Sequence, residues 1–142
     1  MQVKSILQGV LFSFLLLAAS YTDIKRREIP DTVCVLLVLT GLLKFSYINL
    51  QGIFVALPFF IAAVVKENSI GGGDIKLTAS AGIVLGFWKG IYGLIIGLTL
   101  LILFYIMLRI IAVIRGQQVT RNLPMPLAPF LGLGFLIMYF IN

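Results

Sequence analysis

Two aspartates in this chain have surroundings suited to acid–base chemistry. Asp74 follows three consecutive glycines, Gly71, Gly72 and Gly73, and precedes an apolar run, while Asp23 ends another apolar run. A carboxyl group at the edge of an apolar segment is costly unless it has a function or a partner. Two carboxyls a few ångströms apart cannot both ionise easily, so the pKa of one rises and the pair shares a proton near neutral pH. Such a pair can take a proton from water and polarise a carbonyl group.

The glycines and a nearby lysine are candidate substrate-binding residues. Glycines beside Asp74 leave room for a substrate backbone to approach its carboxyl, which nominates Gly71, Gly72 and Gly73. Lys76 either holds an ionised Asp74 or marks the membrane edge.

Each acidic residue also has a simpler interpretation. Asp23 has the position of a helix-end residue in a polar loop, and Asp74 that of an N-cap, a frequent use of aspartate. Asp31 and Glu67 are expected to be solvated loop charges. The two aspartates indicate a catalytic pair only if the fold brings them to the same depth in the membrane.

The composition indicates what must position these residues. Of the 142 residues, 61% are hydrophobic and 11% charged, against roughly 25% charged in a typical soluble domain, and the mean hydropathy is +1.12. The chain is therefore predicted to be an all-α polytopic membrane protein. We expect residues 1–142 to form a single transmembrane domain.

The apolar runs predict about six transmembrane helices, over residues 6–19, 29–45, 52–65, 75–88, 90–114 and 123–141. Residues 23–32 are expected to form a polar loop, with Pro30 in the first turn of the second helix. Pro58 predicts a kink in the third helix. Trp88 and Lys89 are expected to form an interfacial turn. A cleaved signal peptide is the alternative for the first run, but the positive charges after Asp23 favour a retained helix.

The basic residues predict the orientation. With the loop after Asp23 inside, eight basic residues lie inside and three outside. The inside set is Lys25, Arg26, Arg27, Lys66, Lys76, Arg109, Arg115 and Arg121, and the outside set is Lys4, Lys44 and Lys89. Both termini then face outwards. Asp23 and Asp74, 51 residues apart in sequence, fall together at the cytoplasmic membrane edge.

Missing residue types narrow the chemistry. The chain has no histidine, which removes His-based triads and nearly every zinc site. Its single cysteine, Cys34, allows no internal disulfide and is expected to be a small buried hydrophobe. The net charge of +6 is interpreted as topology signals and contacts with anionic membrane lipid, not as nucleic-acid binding. No metal and no cofactor are predicted.

Three segments together resemble the type IV prepilin peptidase family. Asp23 followed by Ile29-Pro30-Asp31 looks like the first aspartate motif of that family. The stretch 71–77, Gly-Gly-Gly-Asp-Ile-Lys-Leu, is similar to its second motif, GxGD followed by an apolar residue, Lys and Leu. The proline-rich stretch 123–134 is similar to the start of its last helix. The three segments come in the order found in the family.

The resemblance implies an intramembrane aspartic endopeptidase of the cytoplasmic membrane of a prokaryote. By motif, Asp23 and Asp74 would be its catalytic aspartates. The implied substrate is a prepilin-type precursor, whose short basic leader is cut from an apolar helix at the cytoplasmic face. Large members of the family carry an insertion with paired cysteines associated with N-methylation. The loops here are too short for it, so cleavage without methyl transfer is expected.

Two other functions remain open from the residues alone. The first is a transporter or proton-relay component, because carboxyls near glycine breaks in helices also build ion sites. The second is a Ser-Lys hydrolase, because Lys76 and Ser80 share a helix face.

Overall fold

The computed structural model describes residues 2–66, 70–116 and 125–141. Within these residues the chain forms six helices and no strand. The helices are α1 (Gln2–Arg26), α2 (Asp31–Leu42), α3 (Tyr47–Val65), α4 (Gly72–Leu85), α5 (Phe87–Ile114) and α6 (Ala128–Phe140). Glu67, Arg121 and the predicted first residues of the last helix, 123 and 124, lie outside the described residues.

Three helices, α1, α3 and α5, are long and apolar enough to cross a membrane, and α2 and α6 are shorter apolar helices. About 20 apolar residues are needed to cross the hydrocarbon core. The predicted class, an all-α membrane protein of about six helices, is confirmed. Within α3, residues Gln51–Ala56 form a 3₁₀ segment, and the α-helical part Leu57–Val65 begins with Pro58 in its first turn.

The predicted polar loop starts too early in the sequence. Asp23 lies in the last turn of α1, which continues to Arg26. The backbone N–H of Arg27 donates to the carbonyl oxygen of Asp23 at 2.8 Å, and Arg27 has a φ of +54°. A left-handed residue after the last turn is a common helix end. Hydropathy marks where apolar side chains stop, whereas backbone hydrogen bonds continue into the polar segment.

Two other helix boundaries differ from the prediction. The turn between α4 and α5 is at Gly86, which has a φ of +82°, and Trp88 and Lys89 already belong to the first turn of α5. Pro30 precedes α2 as its N-cap and does not lie in its first turn. Glycine adopts a positive φ without steric cost, which explains why the reversal occurs at Gly86.

The helices pack through a buried apolar core and through glycines. The largest fully buried side chains are Phe12, Leu16, Leu37, Val55, Leu77, Thr78, Leu131 and Phe135. Helices α2 and α6 each pack against both α1 and α4, whereas α1 and α4 have no direct packing contact in the described residues. Backbones approach closely where Gly52 of α3 meets Gly82 of α4, and where Gly134 of α6 meets Gly93 and Gly97 of α5.

Buried polar contacts tie the first, second and last helices together at the end remote from Asp23. Gln8 is 2% exposed, and its Nε2 donates to the carbonyl oxygen of Thr40 at 3.0 Å. The hydroxyl of Tyr139 donates to the carbonyl oxygen of Ser5, also at 3.0 Å. The first turns of α1 therefore lie beside the last turn of α6.

Candidate active site

The Asp23 carboxyl is held by the start of α6. The side chain is 8% exposed, and Oδ2 accepts a hydrogen bond from the backbone N–H of Ala128 at 2.9 Å. Ala128 is the first residue of α6, where N–H groups have no partner within the helix and the helix dipole favours negative charge. A hydrogen bond of this kind is stronger when the acceptor is ionised. The hydrogen bond therefore fixes the Asp23 carboxyl at the start of α6.

Asp74 lies in the first turn of α4, before the apolar part of that helix. Gly71 is the N-cap, so the interpretation of Asp74 as the N-cap is wrong. Oδ1 is buried without a hydrogen-bond partner in the described part of the chain, as is Thr78 Oγ1 one turn further along the same face. Burial raises the pKa of the Asp74 carboxyl from 3.8 to about 6, with the charge of Asp23 as a second cause. Asp74 thus keeps its proton to a higher pH than an ordinary aspartate does.

The two aspartates line one cavity of about 310 Å³. The cavity lies between α1, which carries Asp23, and α4, which carries Asp74. These two helices have no direct packing contact in the described residues. The remaining lining residues are Arg27, Glu28, Ile29, Asp31, Gly72, Gly73 and Lys76. The structure therefore places Asp23 and Asp74 together at one end of the bundle. Among the described residues, Asp23 has a hydrogen-bond donor on Oδ2, whereas Oδ1 of Asp74 has none.

The three glycines have different environments. Gly72 and Gly73 lie inside α4 and line the cavity, and Gly71 lies next to it. A Cβ added to Gly72 would meet no protein atom within 4 Å, whereas one on Gly73 would lie 3.2 Å from Cβ of Ile29. Gly72 thus borders empty space in the cavity. Gly73 allows the first turn of α4 to pack closely against Ile29.

Lys76 contacts neither aspartate of the pair. Its Nζ lies 2.7 Å from Oδ1 of Asp31, joining α4 to the first residue of α2. Asp31, expected to be a free loop charge, is therefore paired. The Oγ of Ser80 donates to the carbonyl oxygen of Lys76 at 2.7 Å, so no serine–lysine catalytic pair forms. The proposed Ser-Lys hydrolase is not supported.

We expect the Lys76–Asp31 ion pair to contribute little to stability. The two side chains are 56% and 73% exposed, and solvent-exposed ion pairs are screened by water and salt. Lys76→Gln, Asp31→Asn and the double variant should each shift the thermal midpoint by about 2 °C or less. A double-mutant cycle in detergent, at low and high salt, measures this. A coupling that persists in high salt would contradict it.

Four residues that line the cavity were not predicted as site residues from the sequence: Arg27, Glu28, Ile29 and Asp31. Arg27 adopts a left-handed conformation, which costs a residue with a side chain roughly 1–2 kcal/mol relative to the usual regions. Arg27 is one of the residues that line a cavity rich in carboxyls. Arg27 follows Asp23 by four residues. A sequence prediction that continued α1 through Arg26 would therefore have placed Arg27 near Asp23.

The raised pKa of Asp74 predicts how stability depends on pH. Between 3.8 and about 6 the native state keeps a proton that the unfolded chain has released. The stabilising contribution is complete below pH 3.8 and is lost as pH rises through 6. Asp74→Asn should therefore raise the thermal midpoint by a few degrees at pH 7.5, and the difference should vanish below about pH 4. Glu28→Gln, an exposed carboxyl of the same cavity, is the control. An equal gain at both pH values would refute the assignment.

The fold and the cavity together define a class: a polytopic helical membrane protein with two carboxyls facing one space at one end of its bundle. The chain belongs to the type IV leader peptidase family, whose model matches residues 10–112. The matched residues include Asp23 and Asp74 and end before α6.

Two curated relatives are similar in sequence. The "Prepilin leader peptidase/N-methyltransferase" of Bacillus subtilis is 29% identical over 139 residues, which is 92% of this chain and 54% of that protein. The "Prepilin peptidase EppA" of Methanococcus maripaludis is 36% identical over 74 residues, 51% of this chain and 21% of that protein. The chain thus spans about half the length of the first relative and a fifth of the second. No solved structure matches significantly.

Proposed function

We propose that this protein is an aspartic leader peptidase that removes the basic leader from a prepilin-type precursor. The observation that carries the proposal is that Asp23 of α1 and Asp74 of α4 line the same cavity. Family membership and the names of both relatives support a peptidase acting on prepilins. Residues 1–142 are proposed to act as one transmembrane domain.

The environments of the two carboxyls support a division of roles. Asp23, with a backbone donor on Oδ2, acts as the general base. Asp74, whose pKa is raised towards neutrality, is the acid. Asp23 takes a proton from water as the water oxygen bonds to the scissile carbonyl carbon, and Asp74 gives its proton to the carbonyl oxygen.

Collapse of the tetrahedral intermediate completes the cycle. The carbon–nitrogen bond breaks as the leaving nitrogen takes the proton from Asp23, and Asp74 recovers its proton from the hydroxyl that becomes the new carboxyl oxygen. These steps use two carboxyls and water and need no cofactor or metal. Open space at Gly72 suits the close approach of a peptide backbone.

The distribution of basic residues supports a position of the candidate active site at the cytoplasmic edge of the membrane of a prokaryotic cell. The eight-to-three split of basic residues favours a cytoplasmic aspartate end with both termini outside. The exposed carboxyl of Glu28 beside the pair suits a cationic leader. Transport or proton relay receives less support, because both aspartates lie at one end of the bundle and not near its middle. Methyl transfer is not part of the proposal.

Purified protein and a synthetic precursor test the proposal. The precursor has a basic leader followed by an apolar helix, and mass spectrometry in detergent or proteoliposomes follows leader release. We expect one cut between the two segments, and slower cutting when the leader lysines and arginines are replaced by glutamine. Failure to cut any prepilin-type precursor, by protein whose thermal transition shows it to be folded, would overturn the proposal.

A further inference from the structure

A second and larger cavity lies at the opposite end of the bundle. Its volume is about 830 Å³, and it is lined by the first half of α1, the α2–α3 connection and the ends of α4, α5 and α6. Ser5, one of its lining residues, and Asp23 lie 18 residues apart on α1, about 27 Å along the helix axis at 1.5 Å per residue. This distance approaches the thickness of a bilayer core, so the cavity is separate from the candidate active site.

The charged side chains of this cavity are both cationic. Lys44 and Lys89 line it together with Asn49 and Tyr139, all at helix ends or connections. Nζ of Lys89 donates to the carbonyl oxygen of Ile141 at 3.2 Å. Neither lysine forms an ion pair in the described part of the chain, since all four acidic residues described there line the other cavity. Within the described residues the two ammonium groups therefore have no acidic side chain as a counter-charge.

An apolar wall extends from the cationic end towards the middle of the bundle. Ile6, Val10, Phe14 and Leu17 of α1 line the same cavity at spacings of four, four and three residues, which places them on one helix face. Each remains more than 60% exposed. The cavity is thus cationic and hydrogen-bonding at its outer end and apolar along its length.

We propose that this cavity binds one phospholipid with an anionic headgroup. The headgroup lies between Lys44 and Lys89, and an acyl chain lies along the α1 wall, because this order of polarity matches that of a lipid in a bilayer. The volume is within the range of cavities that hold small amphiphilic molecules. A transmembrane helix of another protein, the other apolar occupant, would leave both ammonium groups without a counter-charge. The inference does not depend on peptidase activity.

Trp88 reports binding in the unmodified protein. It is the single tryptophan of the chain, precedes Lys89, and is 70% exposed. Phosphatidylglycerol brominated near its ester groups is titrated into protein held in phosphatidylcholine nanodiscs. We expect saturable quenching of tryptophan fluorescence, reversed by unlabelled phosphatidylglycerol and unaffected by inorganic phosphate or further phosphatidylcholine. Equal reversal by phosphatidylcholine, or displacement by phosphate, would overturn the proposal.

A charge-matched pair of variants tests the two lysines. Lys44→Gln with Lys89→Gln should weaken binding of brominated phosphatidylglycerol about 30-fold, from the attraction that each basic side chain exerts on an anionic headgroup. Lys25→Gln with Lys66→Gln removes the same charge elsewhere and should leave binding unchanged. Unchanged affinity in the first double variant contradicts the site. If that variant does not fold, the titration of unmodified protein decides alone.

Discussion

Asp23→Asn and Asp74→Asn should each lower the rate of leader cleavage by about 100- to 10,000-fold, the range in which general acid–base groups contribute. Each change keeps the shape of the side chain, and an asparagine at position 23 can still accept the hydrogen bond from the N–H of Ala128. What it removes is the ability to exchange a proton with water or substrate. Because one catalytic unit is lost in either case, the double variant should be hardly slower than the single ones.

The measurement is single-turnover cleavage of the synthetic precursor, with the thermal transition recorded for every variant. Asp31→Asn is the matched control, since it removes a carboxyl from the same cavity that is already paired with Lys76. It should cut within a few-fold of the unmodified rate. Normal cleavage by either Asp23→Asn or Asp74→Asn would mean that the pair does not carry the reaction.

Gly52→Ala should have the largest effect on folding. A Cβ on Gly52 would overlap the carbonyl group of Gly82, and one on Gly82 would overlap that of Gly52. Both obstacles are backbone atoms in packed helices, so neither can rotate away. Overpacking of a core usually costs about 1–3 kcal/mol, and a clash between backbones belongs at or above the upper end. We expect Gly52→Ala to give little monodisperse protein and a thermal midpoint lowered by several degrees.

Gly72→Ala is the matched control for folding, because a Cβ there meets nothing within 4 Å. It should purify like the unmodified protein, whatever its effect on cleavage. Size-exclusion chromatography and tryptophan fluorescence during heating distinguish the two variants. An unchanged midpoint for Gly52→Ala would show that the α3–α4 crossing adjusts more easily than its geometry indicates.

The fold class and the shared end of the bundle were predictable because they depend on hydropathy. Apolar runs mark the helices that lie in lipid, and alternation across the membrane brings Asp23 and Asp74 to one end. Hydropathy does not mark helix ends. The segment after Ala19 is polar and still helical, so the C-terminal end of α1 was predicted about seven residues too early.

The partners of the site residues were not predictable, because they depend on contacts between distant segments. Asp31 meets Lys76 across 45 residues, and Asp23 meets the N–H of Ala128 across 105. The three glycines were expected to leave room for a substrate beside Asp74, and their role in binding stays a prediction. Their separate environments, open at Gly72 and packed at Gly73, depend on where Ile29 lies.

The donor to Asp23 is a main-chain group, which affects what comparisons among homologues can reveal. Every amino acid except proline would supply the same N–H at position 128, so the contact survives substitutions that alter its side chain. Only size is restricted there, since Ala128 is fully buried. Sequence variation at position 128 would therefore conceal the contact, and alanine scanning would pass over it. Proline is the one substitution that reports on it.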